Sequence, residues 1–178
     1  MNINKKIFSV GLMLMMLMTS FIGCGRDNKP KIGMVLSTLN NPFFVNMKDG
    51  AEKEAEKLGY DLVVLDSQND PAKERANVED LIQLGVIALL INPTDSDAVV
   101  KTVEVANKSN IPVITLDRQA NGGKITSHIA SDNIKGGEMA AEYVLDKFND
   151  EKGPINVVEI QGIPGASATR DRGEGFHN

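Results

Sequence analysis

Ile32-Gly33-Met34-Val35-Leu36-Ser37-Thr38-Leu39-Asn40-Asn41-Pro42-Phe43-Phe44 passes from an apolar run through a polar turn into a helical pattern. The run Ile32 to Leu36 is continuous and apolar, as in a strand covered on both faces. Asn41-Pro42 sets a capping side chain before a proline at the first helical position. Phe44, Met47, Ala51, Ala55 and Leu58 then recur with a period of about 3.6, the buried stripe of a helix. The stretch therefore reads as strand, turn and helix, the opening half of a βαβ unit. It also sets Phe43 and Phe44 side by side in the turn, in a chain with six Phe and no Trp. In an open α/β sheet, the turn at a strand's carboxyl end belongs to the ligand crevice. Aromatic rings beside amides at that address suit a ligand with both C–H faces and hydroxyls.

The same alternation continues along the chain. Val- and Ile-rich strands are expected at 32–37, 62–66, 88–91, 113–116, 127–130 and 155–160. Asp70-Pro71 opens the second helix as Asn41-Pro42 opens the first. Thr94 and Ser96 are expected to cap the third helix and Ser131 the fourth. Gly59 and Gly85 follow the last apolar residues of the first two helices, where a left-handed residue ends a helix. The order is βαβαβαβ, a short strand, then αβ and the start of a helix. With right-handed crossovers this is an α/β fold with a doubly wound parallel sheet. The strand at 155–160 has no downstream neighbour in the chain, and a helix is beginning where the chain stops, so a truncated product or partial gene is expected.

The amino terminus reads differently. Lys5 and Lys6 precede an uncharged, Leu- and Met-rich run at 7–22, and a polar stretch follows Cys24. This is the pattern of a secretory signal peptide over 1–23. The run is short for a membrane span of about 20 residues. Cys24, just after Phe21-Ile22-Gly23, resembles a bacterial lipoprotein cleavage box, which would leave Cys24 lipidated with a tether over 24–30. An ordinary signal, or an uncleaved anchor with an incidental Cys, is the competing reading. Without Lys5 and Lys6 the formal charge of −5 becomes −7. An acidic exported chain is a poor nucleic-acid binder, which needs basic patches. The single Cys permits no internal disulfide, so stability must come from one packed core.

Motifs for chemistry are sparse. Gly162-Ile163-Pro164-Gly165-Ala166-Ser167-Ala168 follows a strand and opens a helix, where it either cradles an anion or serves as a turn. It lacks the third glycine of a dinucleotide fingerprint and the Gly-Lys-Ser/Thr of a phosphate loop. Gly136-Gly137 reads as a close packing contact. His128 and His177 have no Cys partner, and a structural role suits His128 better than a ligand role. There is no nucleophile elbow and no paired-histidine metal motif, and no cofactor is implied. Asp117-Arg118 closes the strand at 113–116 at the same sheet edge as Phe43 and Phe44. A carboxylate that accepts and a guanidinium that donates suit vicinal hydroxyls; the alternative is a surface ion pair of little worth. Arg170 and Arg172 follow the strand at 155–160, again on the carboxyl side. Asn41 as a cap and Phe43 as a helix staple are roles compatible with ligand contact.

Five stretches together resemble the ribose-type branch of the type I periplasmic sugar-binding proteins. They are Ser37 to Phe44, Leu62 to Gln68, Asn92 to Ala98, Ile111 to Arg118 and Ser127 to Asn133. These proteins are the substrate-binding components of ABC sugar importers, with two α/β lobes that clamp a sugar between them. The resemblance implies that Phe43 and Phe44 flank the sugar ring, that Asn41 bonds to it, and that Asp117 and Arg118 take its hydroxyls. Arg172, in Arg170-Asp171-Arg172-Gly173-Glu174-Gly175-Phe176, matches a further family arginine. It also implies a first lobe over 31–131 and the start of an incomplete second lobe over 132–178. The partners implied are a ribose-like monosaccharide, an ABC importer permease, the membrane through the lipid anchor, and a chemoreceptor as a second use. The location implied is the extracytoplasmic face of the cell membrane. A sugar-sensing effector domain of the lactose-repressor type is the alternative, but such regulators carry an N-terminal DNA-binding motif instead of an export signal. An enzyme on this sheet would need a nucleophile, metal set or phosphate loop. Half a clamp would leave the sugar wet on one face, so weak binding by this chain alone is expected.

Overall fold

The computed structural model describes residues 29–178. The sheet contains β1 (Lys31–Leu36), β2 (Asp61–Asp66), β3 (Ala88–Ile91), β4 (Val113–Leu116) and β5 (Ser127–Ile129), in the order β2-β1-β3-β4-β5. All pairings are parallel, and Met34 of β1 lies opposite Val64 of β2 and Leu90 of β3. The helices are α1 (Pro42–Leu58), α2 (Pro71–Gln83), α3 (Val99–Lys108), α4 (Asn133–Lys147) and α5 (Ser167–His177).

Alternation along the strands sorts the apolar side chains into two cores. Val35, Leu89, Ile91 and Val113 pack with Val78 and Leu81 of α2 and with Val99, Val103 and Ala106 of α3. Met34, Leu36 and Leu116 join Phe44 of α1 on the opposite face. Each such fully buried side chain contributes about 1.5–3 kcal/mol of transfer free energy. Gly33 leaves room for two leucines in β1: a Cβ there would stand 2.8 Å from Leu81 Cδ1 and 2.9 Å from Leu89 Cδ2, so both side chains would have to shift. Its absence lets α2 seat against the sheet.

The first two helices start and stop as their sequences foretell. Asn41 Oδ1 accepts from the Phe43 N–H at 3.0 Å, and Asp70 Oδ1 from the Ala72 N–H at 2.8 Å. Gly59 and Gly85 have φ of 80° and 74°. The other two caps differ from expectation. Asp95, not Thr94 or Ser96, accepts from the Asp97 and Ala98 N–H groups ahead of α3, at 2.9 and 2.8 Å. Asp132, not Ser131, accepts from the Lys135 N–H at the start of α4, at 2.9 Å. A cap must reach an N–H two or three residues on; Asp132 holds that register for α4, while α3 begins without a side-chain cap and Asp95 closes the turn just before it.

The strand expected at 155–160 does not form. Val158 and Ile160 are 88% and 94% exposed, and among the described residues no strand pairs with this segment. Apolar composition supplies neither the ladder nor the covering layer that a strand needs. Beyond it, α5 packs on α4 at a glycine crossing. A Cβ on Gly137 would overlap the Arg172 carbonyl oxygen and the Phe176 nitrogen, and one on Gly175 would overlap the Ile134 carbonyl oxygen. Close packing was expected of Gly136 and Gly137 together; only Gly137 serves it, and Gly136 faces open space.

This gives a paired test. Gly137→Ala is expected to separate α5 from α4 at a cost of about 1–3 kcal/mol, seen as faster hydrogen exchange across α5 with β1–β4 unchanged. Gly136→Ala should leave α5 protection intact.

Candidate functional site

The carboxyl ends of the strands open on a cleft of about 290 Å³. Asn41, Phe43, Phe44, Asp117, Arg118 and Arg172 all line it, so the structure brings the six expected ligand residues together. Cys24, the expected lipidation site, and the signal segment lie outside the described residues. Ser131, Ala166, Ala168 and Thr169 complete the lining and were not singled out from sequence as cleft residues. Ser131 was read only as a cap, and Gly162 to Ala168 only as an anion cradle or turn. For Ser131 the signal available was position, just after β5 at the sheet's carboxyl edge; Ala166, Ala168 and Thr169 follow no strand, and only tertiary docking brings them there.

The two phenylalanines divide their work. Their rings meet edge-on, with centroids 5.5 Å apart and planes at 68°. Phe44 is buried in the core with Met34, Leu36 and Leu116, while Phe43 is 54% exposed at the rim. The Arg118 guanidinium lies over the Phe44 ring at 5.3 Å from its centroid, a cation–π contact in a partly dry site. Arg118 Nη1 donates to the Pro93 carbonyl at 3.0 Å and to that of Thr94 at 3.5 Å. Its Nε is 3.8 Å from Asp117 Oδ2, and both side chains are at most 15% exposed. The surface ion pair considered from sequence is thus a buried one. Burial lowers the Arg118 pKa from its ordinary value, with Asp117 and then Glu74 opposing.

Asp117 sits in a strained turn. Its φ is 61°, and the Arg118 N–H donates to the Leu116 carbonyl at 2.6 Å, closing a three-residue loop. A non-glycine residue in such a conformation costs about 1–3 kcal/mol and persists only where its surroundings over-determine it. Here they do. The Asp117 N–H donates to the Ile129 carbonyl at 2.8 Å. Asn92, fully buried at the end of β3, donates through Nδ2 to the Leu116 carbonyl at 3.0 Å. Asn92 Oδ1 accepts from the Ser37 hydroxyl at 2.6 Å and from the Ser37 N–H at 3.3 Å.

Behind this wall is Glu74 of α2, fully buried. Its Oε2 accepts from the Thr94 N–H at 2.6 Å. Burial pushes its carboxyl up to about 7, against the hydrogen bonds from Thr94 and the charge of Arg118.

The opposite wall comes from the start of α5. The Ser96 N–H donates to the Gly165 carbonyl at 3.0 Å. Ser96 Oγ accepts from the Ser167 N–H at 3.2 Å, and Ser167 Oγ from the Gln119 N–H at 2.9 Å. The glycine-bearing loop is therefore a docked turn whose polar groups are in use, and Arg172 stands one helical turn beyond it. Arg170 donates to the Pro164 carbonyl and lies outside the cleft lining. His128 Nδ1 is hydrogen-bonded to Thr115 Oγ1 at 2.9 Å, the structural role expected of it. Among the described residues no cluster of three His, Cys, Asp or Glu side chains is placed to hold a metal ion.

A parallel sheet of this order, with an aromatic and polar cleft at its carboxyl edge, is the architecture of α/β lobes that take small-molecule ligands. The chain belongs to the periplasmic binding protein domain family, whose model matches residues 32–178. The ribose import binding protein of Escherichia coli (strain K12) is 63% identical over 148 residues, covering 83% of this chain and 49% of that protein. Its counterpart from Bacillus subtilis (strain 168) is 56% identical over 154 residues, 86% of this chain and 50% of that one. The crystal structure of the Caulobacter myo-inositol binding protein bound to myo-inositol matches with a TM-score of 0.78 at 30% identity, covering 88% of this chain and 52% of that one. The chain spans about half the length of the curated relatives it matches. The type I periplasmic-binding fold expected from sequence is found, and these relatives are named as binding proteins rather than enzymes.

Two stability measurements test the wall. Asn92→Ala leaves the Ser37 hydroxyl and N–H unpaired in the interior and the Leu116 carbonyl with only the Arg118 N–H, so urea unfolding should show a loss of about 2–4 kcal/mol. Glu74 binds its proton more tightly folded than unfolded. Its contribution is therefore full below its ordinary value of 4.5 and is lost as pH rises through about 7. Relative to Glu74→Gln, the wild type should lose roughly 3 kcal/mol over that window; parallel pH profiles for the two proteins would contradict the assignment.

Proposed function

We propose that this chain forms one jaw, with part of the second, of a binding protein that delivers ribose or a similar monosaccharide to the permease of an ABC importer. Residues 31–131 make the first lobe and 132–178 begin the second. The observation that supports this most strongly is the convergence of Asn41, Phe43, Phe44, Asp117, Arg118 and Arg172 on one cleft. The names of the relatives point to the same sugar class.

In this reading each group has a chemical task. Phe43 presents its exposed ring to the C–H face of the sugar, and Phe44 forms the floor that holds Arg118 in place. Asn41 uses Oδ1 for its cap and keeps the donors of Nδ2 for a hydroxyl. Asp117 accepts from hydroxyls, and Arg118 donates to their oxygens. Arg172 adds donors from the α5 side. We further propose that the signal segment over 1–23 exports the chain and that a lipid on Cys24 holds it at the extracytoplasmic membrane face. A chemoreceptor is a second partner for the same ligand-bound form.

The cleft lets water reach Phe43, which weakens each hydrogen bond a sugar makes there. Calorimetric titration of the 178-residue chain with D-ribose should therefore give a dissociation constant of about 1 mM, near −4 kcal/mol. Arg118→Ala should abolish the signal. A micromolar or tighter constant for the wild type would sink the half-clamp proposal.

A further inference from the structure

We propose that Asn121 is a site of spontaneous covalent modification: its side chain closes on the Gly122 nitrogen, and the aspartate or isoaspartate that results loosens the docking of α5.

Asn121 is the only asparagine in the chain that a glycine follows. It lies in the bend at 121–123 between β4 and β5, where it is exposed, and it is not part of the cleft lining. Glycine in the next position has no Cβ to crowd an attack on the Asn121 side chain, and its backbone swings through conformations closed to other residues. The attacking group is unengaged: the Gly122 N–H donates to no described residue. The bend is pinned on either side of it. The Asn121 N–H donates to the Ser96 carbonyl at 2.8 Å, and the Lys124 N–H to Asn107 Oδ1 at 2.8 Å.

The Asn121 carboxamide has one restraint. Its Nδ2 donates to Asp97 Oδ1 at 2.6 Å, and the bond is exposed. While made, it opposes the rotation that carries Cγ onto the Gly122 nitrogen. Water competes for both partners, so the bond opens often.

The chemistry needs water alone, and asparagine is among the thermolabile residues. The Gly122 nitrogen gives up its proton to solvent and bonds to Asn121 Cγ. The Cγ–Nδ2 bond breaks, and Nδ2 takes a proton and leaves as ammonia. A five-membered succinimide remains. Water opens it at Cγ to give aspartate, or at the main-chain carbonyl carbon to give isoaspartate, in which the chain runs on through Cβ and Cγ. Both products carry a new negative charge.

That change acts on α5 through Ser96. Aspartate sets a carboxylate oxygen where Nδ2 met Asp97, so a donor and acceptor become two anions that repel. Isoaspartate adds one main-chain atom between the Ser96 and Asn107 anchors. The bend already lies against α3, since a Cβ on Gly122 would stand 3.2 Å from Val100 Cγ1 and one on Gly123 2.5 Å from Val103 Cγ1. The longer chain therefore bulges outward and pulls on its anchors. Ser96 is the anchor shared with α5: its N–H donates to the Gly165 carbonyl, and its Oγ accepts from the Ser167 N–H. Displacing Ser96 weakens the hold on the helix that carries Arg172.

The test ages the purified 178-residue chain in warm, mildly alkaline buffer and follows its peptides by tandem mass spectrometry. Exchange of NH2 for OH should appear at Asn121 ahead of every other asparagine, with isoaspartate and aspartate both present. Asp97→Ala should speed the conversion roughly two- to fivefold, the worth of one exposed hydrogen bond. Gly122→Ala should suppress it. The converted chain, separated by anion exchange, should show amide exchange across the first turn of α5 faster by roughly three- to tenfold, with β1–β4 unchanged. Conversion at Asn121 no faster than at the other asparagines overturns the site. An unchanged rate in Asp97→Ala overturns the restraint, and unchanged exchange in the converted chain overturns the link to α5. The wild-type chain alone decides the site and the link, whatever the stability of either variant.

Discussion

One buried amide couples three strand ends. Asn92 accepts from Ser37 after β1 and donates to the last carbonyl of β4. It thereby fixes the spacing of β1, β3 and β4 where the cleft opens. Apolar packing is non-directional, so it tolerates small slides between strands. A satisfied buried amide does not, because any slide leaves donors and acceptors unpaired in a dry interior. The strained turn at Asp117 depends on that restraint. Without a held Leu116 carbonyl, the left-handed conformation of Asp117 would relax, and the carboxylate and guanidinium would no longer face the same space.

The aromatic pair shows how a binding wall is built from core material. Phe44 belongs to the apolar cluster beneath the sheet's edge and also carries the Arg118 guanidinium on its ring. Placement of the charged donor is thus inherited from core packing, which has little freedom. Phe43, one residue earlier, has half its surface in water and makes an edge contact with its neighbour. Adjacent residues at the first turn of a helix point in directions about 100° apart. One ring therefore enters the core while the other reaches the rim.

Legibility in the sequence followed the range of the interactions. β1 to β5 and α1 to α4 were readable because periodicity, Asn41-Pro42, Asp70-Pro71, Gly59 and Gly85 are local signals. Five cleft residues were readable because strand ends in a parallel sheet converge on one edge, and the family resemblance pointed to the same five; Arg172, which follows no strand, was readable from the resemblance alone. The caps of α3 and α4 were misplaced, since Thr94, Asp95 and Ser96 are all capping types and only tertiary contacts select among them. The Ser96 hydroxyl is taken by the docked loop, and the Thr94 hydroxyl is turned into the interior. The segment at 155–160 has strand composition without a partner, and pairing is not encoded in one strand alone. In the sequence Glu74 is one helix carboxylate among several, and no local signal marks it as buried. The registry of α2 against the sheet, set in part by Gly33, turns it inward.

The two walls of the cleft differ in how firmly they are held. The wall bearing Asp117 and Arg118 rises from the sheet, backed by two apolar cores and the Asn92 amide. The wall bearing Arg172 stands on α5. Among the described residues, neither core includes a side chain of α4 or α5. Its attachments are the glycine crossing with α4 and the hydrogen bonds of Gly165 and Ser167 to Ser96 and Gln119. These few hydrogen bonds contribute about 1 kcal/mol each, so this wall opens at smaller cost than the sheet, with its two apolar cores, unfolds. A ligand needing both walls binds with its intrinsic affinity reduced by the fraction of time the second is docked. In the proposed reading the sheet-borne residues set which groups a ligand must offer, and the docking of α5 sets how tightly it is held.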